Sequence, residues 1–304
     1  MISPEFDTYG KFARGSLLAD YCELLALKGS GPTAAQLADY IDDNDWDMRP
    51  LILRSGQDRQ DAVAPDSEEA ADAVFEFIET RRQALGNVYP FQVTHGHLTV
   101  RGGQDLTHNA YLALLAVATV HAYKVPCNVD PRLVFEHTVV DVIRGRGLPA
   151  APLGELRRGG GTFEAAVEAA CKALGLTCDS DAVARRRFAH DAGVDAIVHV
   201  SWGDTRAGAF VWIGQVTCAR SDEWDGKIME PAPAVWARVL GARTPPVAFL
   251  AVPHHVEALL MDQLLDARER PILDRLRILQ AKQGTSADET TLIEKMLEAE
   301  VEGI

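Results

Sequence analysis

The sequence predicts an α/β fold, and three observations carry that prediction. Between Asp191 and Lys227 two short runs, VDAIVHV and AFVWIGQVTC, flank a polar turn with Gly203, Asp204 and Gly208, the pattern of an antiparallel hairpin. A helix with one apolar stripe precedes the hairpin, and a second helix and a buried strand, PPVAFLAVP, follow it. The first 150 residues read as mainly helical, and the chain closes in further helices.

Taken in order, GSLLADYCELLALKG and PTAAQLADYIDD are amphipathic helices joined by Gly-Ser-Gly-Pro. The loop-like SGQDRQDAVAPDS leads into EEAADAVFEFIETRRQALG, with Ala71, Val74, Phe75, Phe77 and Ile78 on its apolar side. VYPFQV and HLTVRG are a short strand pair. LTHNAYLALLAVATVHAY is apolar nearly all round, which places it in a core. Asp130-Pro131 caps PRLVFEHTVVDVIRG. Gly145 to Gly161, dense in Gly and Pro, reads as a linker. Thr162 then caps TFEAAVEAACKALGL and Gly175 ends it. A short strand is expected around Arg186 to Ala189, and beyond the hairpin a helical turn carries Trp224 and Lys227. PAPAVWARVLG, VEALLMDQLLDARE and PILDRLRILQAKQG read as helices, and Ser286-x-x-Glu289 opens the last one as a capping box.

Composition sets the outer bounds. The 304 residues are 47% apolar and 24% charged, as in a soluble globular protein with room for two domains. We divide them into a mainly helical N-terminal domain (1–150), a domain built on the hairpin with trailing helices (151–285), and an acidic C-terminal helix (286–304). No apolar run reaches the length of a membrane span, and MISPEFDTYGKF lacks an export signal. Five scattered cysteines without a C-x-x-C pair read as reduced thiols, so a cytoplasmic setting is expected. A net charge of -14 argues against a protein that coats nucleic acid nonspecifically. The acid is uneven, however: Lys+Arg against Asp+Glu is 13 to 21 in 1–150, 16 to 17 in 151–285, and 1 to 6 in 286–304. The middle segment is thus close to neutral, and the last helix would repel DNA if it lay near a DNA site, so its deletion should spare any cleavage.

Several chemical motifs are excluded by spacing. Asp42 to Asp47 lacks the glycine and terminal glutamate of an EF-hand, with Arg54 at the glutamate position, and reads as a solvated helix end. Gly159-Gly160-Gly161 is not a phosphate loop, because no Gly-Lys-Ser/Thr follows. In the hairpin, alternation puts Asp195, Ile197 and His199 on one face, and Gln215 and Thr217 on one face of the second strand. An acid on one strand and a carbonyl oxygen on the next can converge on a cation. His199 reads as a hydrogen-bonded core histidine, Trp212 and Trp224 as packing residues, Asp191 as a turn residue, and His254-His255 as a polar strand end. Arg185-Arg186-Arg187 is either a solvated face or a phosphate contact.

The order helix, hairpin, helix, strand, with polar residues at these positions, resembles the PD-(D/E)XK nuclease superfamily. Gly161-x-Phe163-Glu164 is similar to the opening helix of Mrr-type restriction enzymes. Asp191-x-Gly193-x-Asp195, followed by a strand ending Gly214-Gln215, resembles the motif in which an acid and a Glu or Gln hold a metal. Gly214-Gln215 through Trp224-x-x-Lys227, with Pro253-His254 after the next strand, strengthens the likeness, which covers about residues 160 to 255. The departure is Thr217, which stands in the family's usual lysine slot, with Lys227 as the nearest replacement.

The resemblance implies a restriction-endonuclease-like core, with a helix, a mixed sheet of about four strands and a second helix. It also implies a Mg²⁺- or Mn²⁺-dependent endonuclease hydrolysing phosphodiesters in DNA, in a bacterial restriction or anti-phage setting. Asp195 would be the main metal ligand, Gln215 a neutral second one and the Val216 carbonyl a third, with Glu164 or Glu168 reaching in from the helix. Lys227 would orient the attacking water or stabilise charge on the phosphate. A protein partner or target would be met through the N-terminal domain, and a homo-oligomer is compatible with the sequence. Two alternatives stand beside this one. The first is a catalytically inactive superfamily member serving as a structural or DNA-binding subunit; the second is a hydrolase using His254 and His255 with a transition metal.

Overall fold

A computed structural model describes residues 1–5, 7–48, 65–154, 161–179, 181–182, 193–200, 202–203, 208 and 210–304. The expected strand near Arg186, the Arg185-Arg186-Arg187 run, Asp191 and Arg54 lie outside the described residues.

The protein is α/β. Its main sheet has five strands in the order β3-β4-β5-β6-β7, and a separate hairpin pairs β1 (Phe91–Thr94) with β2 (His97–Val100). The expected central hairpin is present: β4 (Ala196–Val200) runs antiparallel to β5 (Phe210–Val216), with Ala196 opposite Gly214 and Val198 opposite Trp212. β6 (Val247–Ala251) lies parallel to β5, which requires a crossover; α7 (Trp224–Lys227) and α8 (Pro233–Val239) supply it. Gly214 is dictated by packing, since a Cβ there would lie 2.1 Å from the ring of Phe249 on β6.

Two strands depart from the expectations. Ala150–Pro152, inside the segment read as a linker, is β3, an edge strand antiparallel to β4. It is only three residues long and carries a proline, so its own pattern cannot announce a strand; pairing to β4 creates it. PILDRLRILQAKQG is not one helix: Ile272–Leu273 forms β7 beside β6, and the helix α10 (Arg275–Leu279) starts only where Asp274 caps it. The buried Ile272 gains more from the sheet than from a helical turn begun at Pro271.

The helices α1 (Arg14–Leu27), α2 (Ala34–Asp43), α3 (Ser67–Leu85), α4 (Ala110–Ala122) and α5 (Pro131–Gly145) form the N-terminal part. As its composition requires, α4 is buried along nearly its whole length. The remaining helices are α6 (Phe163–Leu174), α9 (Ala258–Arg268) and α11 (Ala287–Glu298). Alternation in the sheet divides the core: Ala196, Val198, Phe249 and Ala251 face the apolar cluster of α4 and α5, while Ile197, Val211 and Ile213 face α6 and Trp236.

The acidic last helix is no appendage. Leu292, Ile293 and Met296 of α11 are fully buried in the cluster that also holds Leu18, Val117 and Ala196, and Ile2 bridges to Val301. Removing 286–304 therefore strips core side chains worth several kcal/mol, so a loss of activity on deletion would report unfolding before any role in cleavage. Among the described residues, no helix is long and apolar enough to cross a membrane.

Candidate functional site

Asp195 stands immediately before β4 and is gripped by the sheet on both sides. Its N–H donates to the Gly214 carbonyl at 2.8 Å, and its carbonyl accepts from Leu153 at 2.7 Å. Its carboxylate Oδ2 accepts the Val216 N–H at 2.8 Å. The paired register ends at Ala196 and Gly214, with Asp195 bonded on to Gly214, and alternation along β5 puts the Gln215 side chain on the face of Ile213, toward α6. Gln215 is only 8% exposed, and its Oε1 has no hydrogen-bond partner among the described residues. Asp195 and Gln215 thus stand at the same end of the β4–β5 hairpin. At Val216 the group seen in contact is the N–H on Asp195.

The helix α6 is held along β4. The Nδ1 of His199 lies 2.7 Å from the Leu174 carbonyl, and since a carbonyl only accepts, that nitrogen carries the proton. This contact fixes the C-terminal end of α6 beside the far end of β4. The first turn of α6 is capped by Thr162. Glu164 lies in that turn and is half-buried. Glu168, one turn on, is exposed, with its charge close enough to Cys171 and Cys178 to help raise their pKa values beyond the larger effect of burial.

Lys227 ends α7, and its Nζ pairs with Glu230 Oε1 at 2.8 Å. The same turn is pressed against the approach to β4: Gly193 has φ 65°, and a Cβ there would fall 2.3 Å from the Glu230 Cβ. Only glycine meets both demands, so Gly193 docks the Lys227 turn two residues from Asp195. Trp224, buried beneath this turn, donates its indole N–H to the Ala219 carbonyl at 2.9 Å, a packing residue as expected. His199 likewise proves to be a buried, hydrogen-bonded core histidine. Trp212 is 37% exposed and Asp42 to Asp45 are exposed at the end of α2.

His254 and His255 are not a solvent-facing strand end. They belong to a buried ionic cluster. Arg275 grips Asp20 with two hydrogen bonds of 2.8 and 2.7 Å, and Arg81 reaches Asp20 at 2.7 Å and Glu23 at 2.8 Å. The hydroxyls of Tyr89 and Tyr111 donate to Glu23, and the Nε of Arg81 donates to the Nδ1 of His255 at 3.4 Å. Burial alone would raise the Asp20 pKa, but Arg275 and Arg81 overcome it and hold the carboxyl below its ordinary range. Burial, assisted by Arg275, lowers the His254 pKa to about 3; burial, assisted by Arg81, lowers that of His255 to about 2. Both imidazoles are therefore neutral at pH 7. With Phe77 stacked on the His255 ring at 3.9 Å and both residues buried, they belong to the interior and not to a polar strand end.

Among the described residues, no three or more His, Cys, Asp or Glu side chains gather to hold a metal. No family model, curated protein or solved structure matches this chain.

Proposed function

We propose that this protein is a divalent-metal-dependent phosphodiester hydrolase acting on DNA, with Asp195 and Gln215 as the pair that holds the cation. The observation that supports this reading is their place at the same end of the β4–β5 hairpin, with the Gln215 amide oxygen buried and unpartnered among the described residues. A buried orphan acceptor costs about 1–3 kcal/mol unless something outside the chain satisfies it. One carboxylate and one amide oxygen are hard donors of the kind Mg²⁺ or Mn²⁺ accepts, and such an ion keeps several waters. When bound, it would neutralise phosphate charge and lower the pKa of a water.

The chain's own residues have distinct tasks in this reading. Val216 orients the Asp195 carboxylate through its N–H. Glu164, half-buried, and the Val216 carbonyl are candidates to complete the oxygen set, whereas Glu168 is exposed. Lys227 acts on the phosphate from the turn docked at Gly193, once released from Glu230. A restriction or anti-phage role rests on the resemblance alone.

A second reading, a superfamily member without catalysis that serves as a structural or DNA-binding subunit, is favoured by Thr217 in the lysine slot and by the engagement of Lys227 with Glu230. Incubation of plasmid and single-stranded DNA with the purified protein, with and without Mg²⁺ or Mn²⁺, separates the two. Metal-dependent nicking supports the hydrolase; DNA binding without nicking supports the subunit.

A further inference from the structure

A cavity of about 570 Å³ is lined by residues just beyond β5 and β6, the end of α4 and the start of α5. β5 and β6 are parallel, and in such sheets ligands bind beyond the carboxyl ends of the strands. The volume is that of a small-molecule site.

Two buried polar residues belong to its lining. Tyr9 and His254 are 1% and 2% exposed, and the His254 Nδ1 has no hydrogen-bond partner among the described residues. Asp20 lies within hydrogen-bonding reach of the Tyr9 hydroxyl and adds to the effect of burial in raising its pKa. The rings of Tyr9 and His254 pack 4.4 Å apart. Val125, Pro126 and Val129 give the cavity an apolar wall.

Its rim carries Lys124, Arg132 and Arg220. Arg132 is held by Asp130 and Arg220 by Asp222, while Lys124 makes no ion pair with a described residue. Lys124 also stands where a glycine is usual. It follows the end of α4 at φ 52°, and the Val125 N–H closes back on the Val120 carbonyl at 3.1 Å. A lysine in a left-handed position costs some stability relative to glycine.

We propose that this cavity binds a nucleoside phosphate, with Lys124 and the rim arginines around the phosphate, the apolar wall against the base, and Tyr9 and His254 on its polar edge. The proposal does not rest on the nuclease reading, because binding is measured without cleavage.

Calorimetric titration of the full chain with AMP, GMP, CMP and UMP, and with the bare nucleosides and inorganic phosphate, tests it. At least one monophosphate binds, and its nucleoside and inorganic phosphate each bind about tenfold more weakly or worse. Lys124→Gly weakens that monophosphate about tenfold, the size of one charged hydrogen bond, yet melts without ligand at or above the wild-type temperature because the helix end is relieved. Tyr9→Phe, which keeps the ring, also weakens binding. Absence of binding by every monophosphate at about 1 mM overturns the proposal. Inorganic phosphate as tight as the nucleotides, or affinities unchanged in both variants, overturns it equally.

Discussion

At the residue scale the stability cost and the proposed chemistry of Gln215 are linked. A leucine of similar size would remove the unpartnered oxygen from a face shared with Ile213 and Val211, so Gln215→Leu should melt at or above the wild-type temperature. The same change removes one cation donor and should cut metal-dependent DNA cleavage by about a hundredfold or more. Parallel melting and single-turnover assays check both halves; a variant that is less stable and fully active would show the amide to be structural. Asp195 and Gln215 stand out as candidates because alternation in an apolar strand makes any polar residue set into it conspicuous. Arg81 was missed, although a signal existed: it continues the buried stripe Val74, Ile78 and Leu85 of α3 at helical spacing. A charge at a core position of a helix announces a buried partner, but that partner, Asp20, is far along the chain and no local pattern names it.

At the element scale, what was legible is what local pattern determines. Asp130, Thr162 and Ser286, expected as caps, all cap their helices through their side chains, and each cap needs only its next three residues. The strands β3 and β7 need distant partners, β4 and β6, and two or three residues carry no periodicity. The turn of α7 is the element on which catalysis depends in this account. Lys227→Ala should lower single-turnover cleavage by about a hundredfold, and adding Thr217→Lys should restore part of it, since residue 217 follows Gln215 on the same strand face. Circular dichroism confirms folding of both variants. Wild-type rates in Lys227→Ala would remove the lysine from the mechanism.

At the scale of the whole molecule, the ionic cluster ties α1, α3, α4 and α10 to the end of β6, so the helical N-terminal part and the sheet are joined by charges as well as by apolar packing. Removing one member leaves a buried charge uncompensated, which typically costs about 3–5 kcal/mol. The cluster also makes stability depend on pH. His254 and His255 stay neutral in the folded protein down to about pH 3 and 2, whereas an unfolded histidine takes up a proton near 6.5. Below pH 6.5 the unfolded state therefore binds more protons, and stability falls as pH falls, by about 2 kcal/mol per histidine at pH 5. Glu23, Glu257 and Asp274, whose pKa values burial raises, act in the opposite sense. The histidine contribution is isolated by comparing wild type with the double variant His254→Gln, His255→Gln. Between pH 7.5 and 5 the melting temperature of the wild type should fall more steeply, and parallel curves would contradict the assignment.

The central claim, that Asp195 and Gln215 hold a catalytic cation, is tested most directly by one measurement: single-turnover cleavage of plasmid DNA across a Mg²⁺ or Mn²⁺ titration, for wild type and Asp195→Ala. The account predicts metal-dependent nicking by the wild type and none by a folded Asp195→Ala. Cleavage by Asp195→Ala at the wild-type rate would contradict it.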